Sequence, residues 1–243
     1  MPVVICCGFS LNLQQDFKPG DSLITLDGPG QIGITENSGY RSALKSILQY
    51  IMLQLKQAIQ SMISISETEC NEFFCQLIVK SFRRQSILSQ PGVVPNEIFF
   101  INSGLIRVII NDQEGVDHTI HFAMENQFIA DYSNFMLQQR SFYSLQAVED
   151  TQVVVLPRSA IEWGYKNLQE GQKLGRLIAE FYFIYQDDRI KNLYARSPKE
   201  RYDSIAEVFP NIHNRVPQHM IASYLGITPV HLSRLKKGET GKL

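Results

Sequence analysis

The chain has 243 residues, a formal net charge of −1 and an apolar fraction of 44%, values that are ordinary for a globular protein of one large or two small domains. No run of 18 apolar residues is present, which argues against a transmembrane helix, so a cytoplasmic location without a membrane partner is expected. Residues 189–243 carry ten Lys and Arg against four Asp and Glu. A basic end on an acidic body is typical of a protein that meets phosphate groups through one end only.

The N-terminal 42 residues are rich in glycine and proline and have no sustained hydrophobic period, so residues 1–42 are left unassigned or disordered. Apolar residues at three- and four-residue steps then predict a helix over residues 43–63. A capping box formed by Ser66 and Glu69 predicts a second helix from Glu67 to about Ile78.

Short β-strands are predicted between residues 81 and 156. Alternating apolar residues are separated by turn signals such as Pro91-Gly92 and Ser103-Gly104. The predicted strands cover residues 81–88, 97–102, 105–111, 118–123, 144–147 and 152–156. Short strands at this spacing predict an antiparallel barrel, roll or sandwich.

Helical sequence resumes after the strands. A short helix is predicted over 159–166 and a long one over 171–195, followed by a helix that begins at Ser197 and ends before Pro210. The order of the elements predicts an α+β protein with two domains.

An apolar stripe on the long helix approximates the a and d positions of a coiled coil, which favours a homodimer. A helix packed on its own β-sheets would show a similar stripe, so this alternative stays open. The stripe consists of Leu174, Leu177, Phe181 and Ile184.

Residues 216–237 predict two helices joined by a glycine turn at Gly226. Pro217 suits a first helical turn, and Thr228 followed by Pro229 suits an N-cap and the first position of the second helix. An apolar underside with polar groups on the opposite face is what a recognition helix needs to enter the major groove of DNA. An ordinary helical hairpin with a solvated charged face is the alternative. The residues expected to contact DNA are Gln218, Thr228, Val230, His231, Ser233, Arg234, Lys236 and Lys237.

This segment, RVPQHMIASYLGITPVHLSRLKK, resembles the helix-turn-helix of the Crp/Fnr regulators. The stretch FFINSGLIRVIIND is similar to strands of their cyclic-nucleotide-binding β-roll, and LGRLIAEFYFIYQDDRIKNL is similar to the long helix through which they dimerise. The resemblance covers about residues 44–237.

The resemblance implies an antiparallel, jelly-roll-like β-roll flanked by helices, a long dimerisation helix and a C-terminal helix-turn-helix domain. These parts would cover residues 43–170, 171–195 and 196–243. The implied partners are double-stranded DNA, a second copy of the chain, RNA polymerase and a small-molecule effector of unknown identity.

The segment that would bind a cyclic nucleotide departs from the family pattern. Ala130-Asp131 stands where those members have a Gly-Glu pair, and Ser141-Phe142-Tyr143 stands where they have an Arg-Ser/Thr-Ala run. Arg140 is one residue out of place. A cyclic phosphate needs a fixed cation or several N–H donors, so cyclic AMP is not expected to bind tightly. The polar candidates for ligand contact are Asp131, Ser133 and Ser141.

The DNA-binding end departs as well. Val230 stands where the best-known members have a glutamate, so their operator cannot be carried over, although a valine can meet a thymine methyl group. The chain stops eight residues after Leu235, so the β-hairpin wing of the family is expected to be absent or short.

An alternative function is a small-molecule-sensing or partner-binding module whose DNA end is weak or vestigial. An enzyme is not expected, because no nucleophile elbow, P-loop or zinc signature is present. Neither cofactor nor metal is expected, since the cysteines match no common ligand spacing and His118 and His121 should face opposite sides of a strand. The four cysteines are Cys6, Cys7, Cys70 and Cys75.

Overall fold

A computed structural model describes residues 5–7, 24–26, 32–33 and 51–237. In the N-terminal segment, β1 (Ile5–Cys7), β2 (Ile24–Leu26) and β3 (Ile32–Gly33) form a small sheet in the order β1-β2-β3. The predicted first helix is present as α1 over residues 51–60, and residues 43–50 lie outside the described residues. The expectation that the wing is absent or short falls outside them as well, because Lys237 is the last described residue.

Helix α2 (Glu67–Phe74) begins as predicted. The backbone N–H of Glu69 donates to Ser66 Oγ at 3.2 Å, and the backbone N–H of Ser66 donates to the Glu69 carboxylate at 2.9 Å. The predicted extension to Ile78 is wrong, because Ile78 opens a strand that pairs with the last strand of the roll.

Eight antiparallel strands form the β-roll in two sheets. Sheet I has the order β4-β11-β6-β9, and sheet II has the order β5-β10-β7-β8. The strands are β4 (Ile78–Phe82), β5 (Ile87–Ser89), β6 (Glu97–Ser103), β7 (Ile106–Asn111), β8 (Asp117–Ala123), β9 (Phe128–Ile129), β10 (Tyr143–Ala147) and β11 (Thr151–Pro157). The inner faces meet in a core that includes Phe99, Val108, Leu145 and Val155.

The single strand predicted over residues 81–88 is wrong. The chain leaves sheet I after β4, turns through Gln85 at a φ of 69° and enters sheet II as β5. A left-handed residue cannot continue a strand, so the apolar residues on its two sides belong to different sheets.

Seven further helices of the described residues follow α1 and α2. They are α3 (Tyr132–Leu137), α4 (Arg158–Asn167), α5 (Gly171–Ala195), α6 (Pro198–Val208), α7 (Ile212–Arg215), α8 (Gln218–Tyr224) and α9 (Pro229–Lys236). Helix α5 has the predicted bounds, whereas α3 and α7 were not predicted. The α+β architecture with a roll, a long helix and a C-terminal helical unit is confirmed.

The first half of α5 packs on its own roll. Leu174 is buried in the core shared with α1, α2 and α4, and Leu177 is half-buried against the same core. The sequence placed both residues in a dimer seam. The structure corrects this for Leu174, because its side chain is buried within one chain, whereas Leu177 stays half-exposed. Phe181 and Ile184, further along the helix, are exposed.

Candidate nucleic-acid interface

The turn between α8 and α9 is built by two residues. Gly226 has a φ of +67°, a conformation that favours glycine, and a Cβ there would lie 3.3 Å from Leu193 Cδ2. Thr228 caps α9, since its Oγ1 accepts from the backbone N–H of His231 at 3.2 Å, and Pro229 follows at the first helical position. The predicted glycine turn and threonine cap are confirmed, and they fix the angle between the two helices.

The two helices bury one side and expose the other. The buried residues are Met220, Ile221, Ala222, Leu225, Leu232 and Leu235. The exposed residues of the second helix are Val230, His231, Ser233, Arg234, Lys236 and Lys237. Thr228 is exposed at the cap. Lys236 Nζ lies 3.3 Å from Oε1 of the half-buried Gln218, which brings the start of α8 beside the end of α9.

The exposed face of α9 carries free positive charge. Arg234, Lys236 and Lys237 form no ion pair with any residue in the described part of the chain. A free guanidinium can bond both acceptors of a guanine edge, and a lysine ammonium suits a phosphate. The face therefore presents unpaired cationic donors to solvent.

A cavity of about 520 Å³ lies between sheet II, α3 and α5. Most of its lining is apolar or aromatic, as at Val108, Tyr132, Tyr143 and Tyr182. No lysine or arginine is among the described residues that line it. The aromatic lining was missed by the sequence reasoning, although Tyr182 and Gln186 stand four residues apart on one face of α5.

The three candidate ligand contacts separate in the structure. Asp131 and Ser133 line the cavity, but Ser141 does not. Asp131 is buried and already occupied, because its carboxylate accepts from Asn134 Nδ2 at 2.8 Å and caps α3. Ser141 Oγ is held by the backbone of Tyr143, and Arg140 is exposed and lies outside β10.

His121 and His118 lie in different environments, and a register shift lies between their pairing positions on β7. His118 is exposed beside Asp112, with Nε2 2.8 Å from Oδ2. His121 is buried, with its ring centroid 4.3 Å from that of Tyr185. Burial, reinforced by the nearby Arg189, lowers the pKa of His121 to about 3, so its ring is neutral at physiological pH.

The comparisons with known proteins agree with this architecture. Residues 79–167 match the family model of the cyclic nucleotide-binding domain. A structure described as a transcriptional regulator of the Crp/Fnr family from Eubacterium rectale superposes with a TM-score of 0.57 and 15% identity, over 72% of this chain and 83% of that one. The fold is that of the Crp/Fnr regulators.

Two further structures share the Crp/Fnr fold. FixK2 from Bradyrhizobium japonicum has a TM-score of 0.54 and 15% identity, over 66% of this chain and 82% of its own. The c-di-GMP responsive global regulator CLP from Xanthomonas campestris has a TM-score of 0.52 and 10% identity, over 66% of this chain and 84% of its own. These similarities establish the fold, and no curated protein matches the sequence.

Two structural searches of the described residues were negative. No helix there combines the length and apolar character that crossing a membrane requires. In the same part of the chain, no group of three or more His, Cys, Asp or Glu side chains is placed to hold a metal ion.

Proposed function

We propose that this chain is a DNA-binding transcription regulator of the Crp/Fnr type, not an enzyme, in which residues 43–170 form the sensor and 196–243 the DNA-binding domain. One observation carries the proposal: α9 is capped by Thr228, anchored by Leu232 and Leu235, and presents an unpaired Arg234 to solvent. The proposed DNA contacts are the eight residues predicted from the sequence. RNA polymerase is the partner that such a regulator would engage once bound.

The protein is proposed to act as a homodimer through α5. Phe181 and Ile184 are 65% and 59% exposed, one helical turn apart, and they follow the half of the helix that packs on the roll. Exposed apolar side chains at this spacing suit a helix–helix contact. Leu174 is proposed to take no part in it, because its side chain is buried in its own chain.

The sensor is proposed not to respond to cyclic AMP. The cavity beside α5 has no cation in its described lining, and its carboxylate at Asp131 would repel a phosphate. A small-molecule effector of the cavity would therefore be uncharged or cationic and largely apolar.

Selection of bound sequences from a random pool of double-stranded DNA tests the proposal. We expect a repeated motif with two half-sites, and a binding constant that falls steeply as salt rises, because each phosphate contact releases a counterion. Recovery of unselected sequence, or binding that does not depend on salt, would reject the DNA-binding function.

A second candidate function rests on the cavity alone. At about 520 Å³ it is large enough for a small molecule, and its aromatic lining suits an apolar one. In this case the chain would be a small-molecule sensor or partner-binding module with a weak or vestigial DNA end. Its ligand binding would be insensitive to salt.

A further inference from the structure

The DNA-binding unit, residues 196–237, packs against its own roll. An apolar cluster joins the two parts: Leu105, Phe122, Met124 and Val148 from the roll, and Phe209, Ile212, Val216 and Met220 from the unit. The position of this unit relative to the roll is therefore set by contacts within one chain.

Arg215 adds a polar clamp at the margin of this cluster. Its guanidinium donates to Glu125 at 2.7 and 3.0 Å and, through Nε, to Glu149 at 3.2 Å; a second nitrogen also contacts Glu149. Arg215 lies on α7, and the two glutamates lie in two separate turns of the roll. One side chain thus joins the DNA-binding unit to both turns.

The turn that carries Glu125 is tied to the turn between β6 and β7. Glu125 also accepts from the backbone N–H of Gly104 at 2.8 Å. Gly104 has a φ of +101°, and a Cβ there would lie 2.4 Å from Thr151 Oγ1, so only glycine fits. The hydrogen bonds that Arg215 donates to both glutamates raise its pKa. Burial favours a raised pKa for Glu125, but hydrogen bonds from Arg215 and Gly104 outweigh it and lower the pKa.

A third contact lies at the edge of sheet II. The backbone N–H of Thr119, on the edge strand β8, donates to Ser223 Oγ of α8 at 2.8 Å. This amide belongs to the roll and its acceptor to the DNA-binding unit. Its hydrogen exchange therefore reports directly whether the unit is docked.

We infer that Arg215 is a positioning residue that sets the distance and angle between the two recognition helices of the dimer. The inference rests on the proposed function. Each added base pair moves one half-site by about 3.4 Å and rotates it by about 34°. A docked unit accepts one spacing, whereas an undocked unit follows the DNA and accepts several.

The variant Glu125→Ala with Glu149→Ala tests this without removing any positive charge from the DNA-binding unit. Binding is measured on DNA whose half-sites are set at the selected spacing and at one or two base pairs more or less. We expect the parent to lose about tenfold in affinity at a wrong spacing and the variant to lose much less. Exchange of the Thr119 amide should also be faster in the variant.

The matched control is Glu114→Ala with Glu162→Ala, which removes the same charge from exposed positions of the roll and α4. It should keep the parent's spacing preference. Glu149→Gln, a milder change, should show a smaller effect in the same direction and covers the case in which the double variant does not fold.

The outcomes separate the two proposals. A parent that binds no DNA refutes the proposed function. Two other outcomes would overturn the role of Arg215 and leave DNA binding intact. In the first, the parent binds single half-sites without a spacing preference. In the second, the variant Glu125→Ala with Glu149→Ala has the spacing preference and the Thr119 exchange rate of the parent.

Discussion

The hydroxyl groups of Tyr185, on α5, and Tyr224, on α8, lie 3.1 Å apart. Arg189 strengthens this junction, because one of its guanidinium nitrogens donates to the backbone carbonyl of Tyr224 at 2.9 Å and its guanidinium lies 3.8 Å from the centre of the tyrosine ring. The long helix α5 is thus tied directly to α8.

Tyr185→Phe should lower the free energy of unfolding by about 1 kcal/mol, because it leaves the Tyr224 hydroxyl without this partner. Urea unfolding measures the change. Tyr194→Phe is the matched control on the same helix, since Tyr194 is 89% exposed and should be neutral. Equal losses in the two variants would show that the Tyr185 hydroxyl stabilises nothing.

His121 should make stability depend on pH. Its folded pKa of about 3 lies below the ordinary value of 6.5, so the unfolded chain takes up a proton on this residue first as pH falls. The contribution of neutral His121 to the free energy of unfolding is present above pH 6.5 and is lost as the pH falls towards 3. Between pH 7.5 and 5.5 the free energy of unfolding should drop by about 1.4 kcal/mol on its account.

His121→Phe keeps a ring among Tyr182, Tyr185 and Phe209 and should abolish that part of the decline. Urea unfolding of both proteins at the two pH values gives the difference. An undiminished decline in the variant would place the titrating group elsewhere, for example at His213, whose pKa burial also lowers.

Cyclic AMP should show no tight, saturable heat of binding in calorimetry. The cavity offers no cation for the cyclic phosphate, and Asp131 is engaged in capping α3. Tight binding would mean that Arg140, exposed in this structure, turns inward when the nucleotide is present.

Arg234→Ala should weaken binding to the selected site by about 1–3 kcal/mol and relax the preference at one base position, since a guanidinium reads a guanine edge. Lys236→Ala and Lys237→Ala are the comparison. If these lysines hold phosphates, their loss should weaken binding equally on selected and random DNA. Parent affinity of Arg234→Ala on both kinds of DNA would remove Arg234 from the interface.

Phe181→Asp with Ile184→Asp should convert the proposed dimer into monomers in analytical sedimentation, because two carboxylates would be buried in its apolar seam. The control is Phe183→Asp with Ile190→Asp, which alters exposed apolar residues on a different side of α5. A dimer that survives the first change and dissociates after the second would move the interface to that side.

The long elements could be predicted from the sequence because their periods are strong. Helix α5 has the predicted bounds, and β6 to β8, β10 and β11 differ from the prediction by one residue at either end. Helices α3 and α7, six and four residues long, are too short to show a helical period. The turn at Gln85 was missed because glutamine gives no signal of a positive φ.

The candidate site likewise has features that could be predicted from the sequence and features that could not. The exposed face of α9 follows from a 3.6-residue period and from the Thr228-Pro229 start, both of which are local. The Arg215–Glu125 contact joins residues 90 positions apart, so no local sequence pattern predicts it. The dimer stripe was wrong at Leu174 because periodicity shows which face of a helix is apolar but not what covers it.

The edge of sheet II has a consequence for the independence of the two domains. Helix α8 lies against β8, the edge strand, and the residues beside it form part of the apolar cluster. A roll produced without residues 196–237 would expose this strand together with Phe122 and Met124. Bare strand edges recruit one another, so such a fragment would aggregate. Residues 196–237 therefore also cover the edge of sheet II and the apolar side chains beside it.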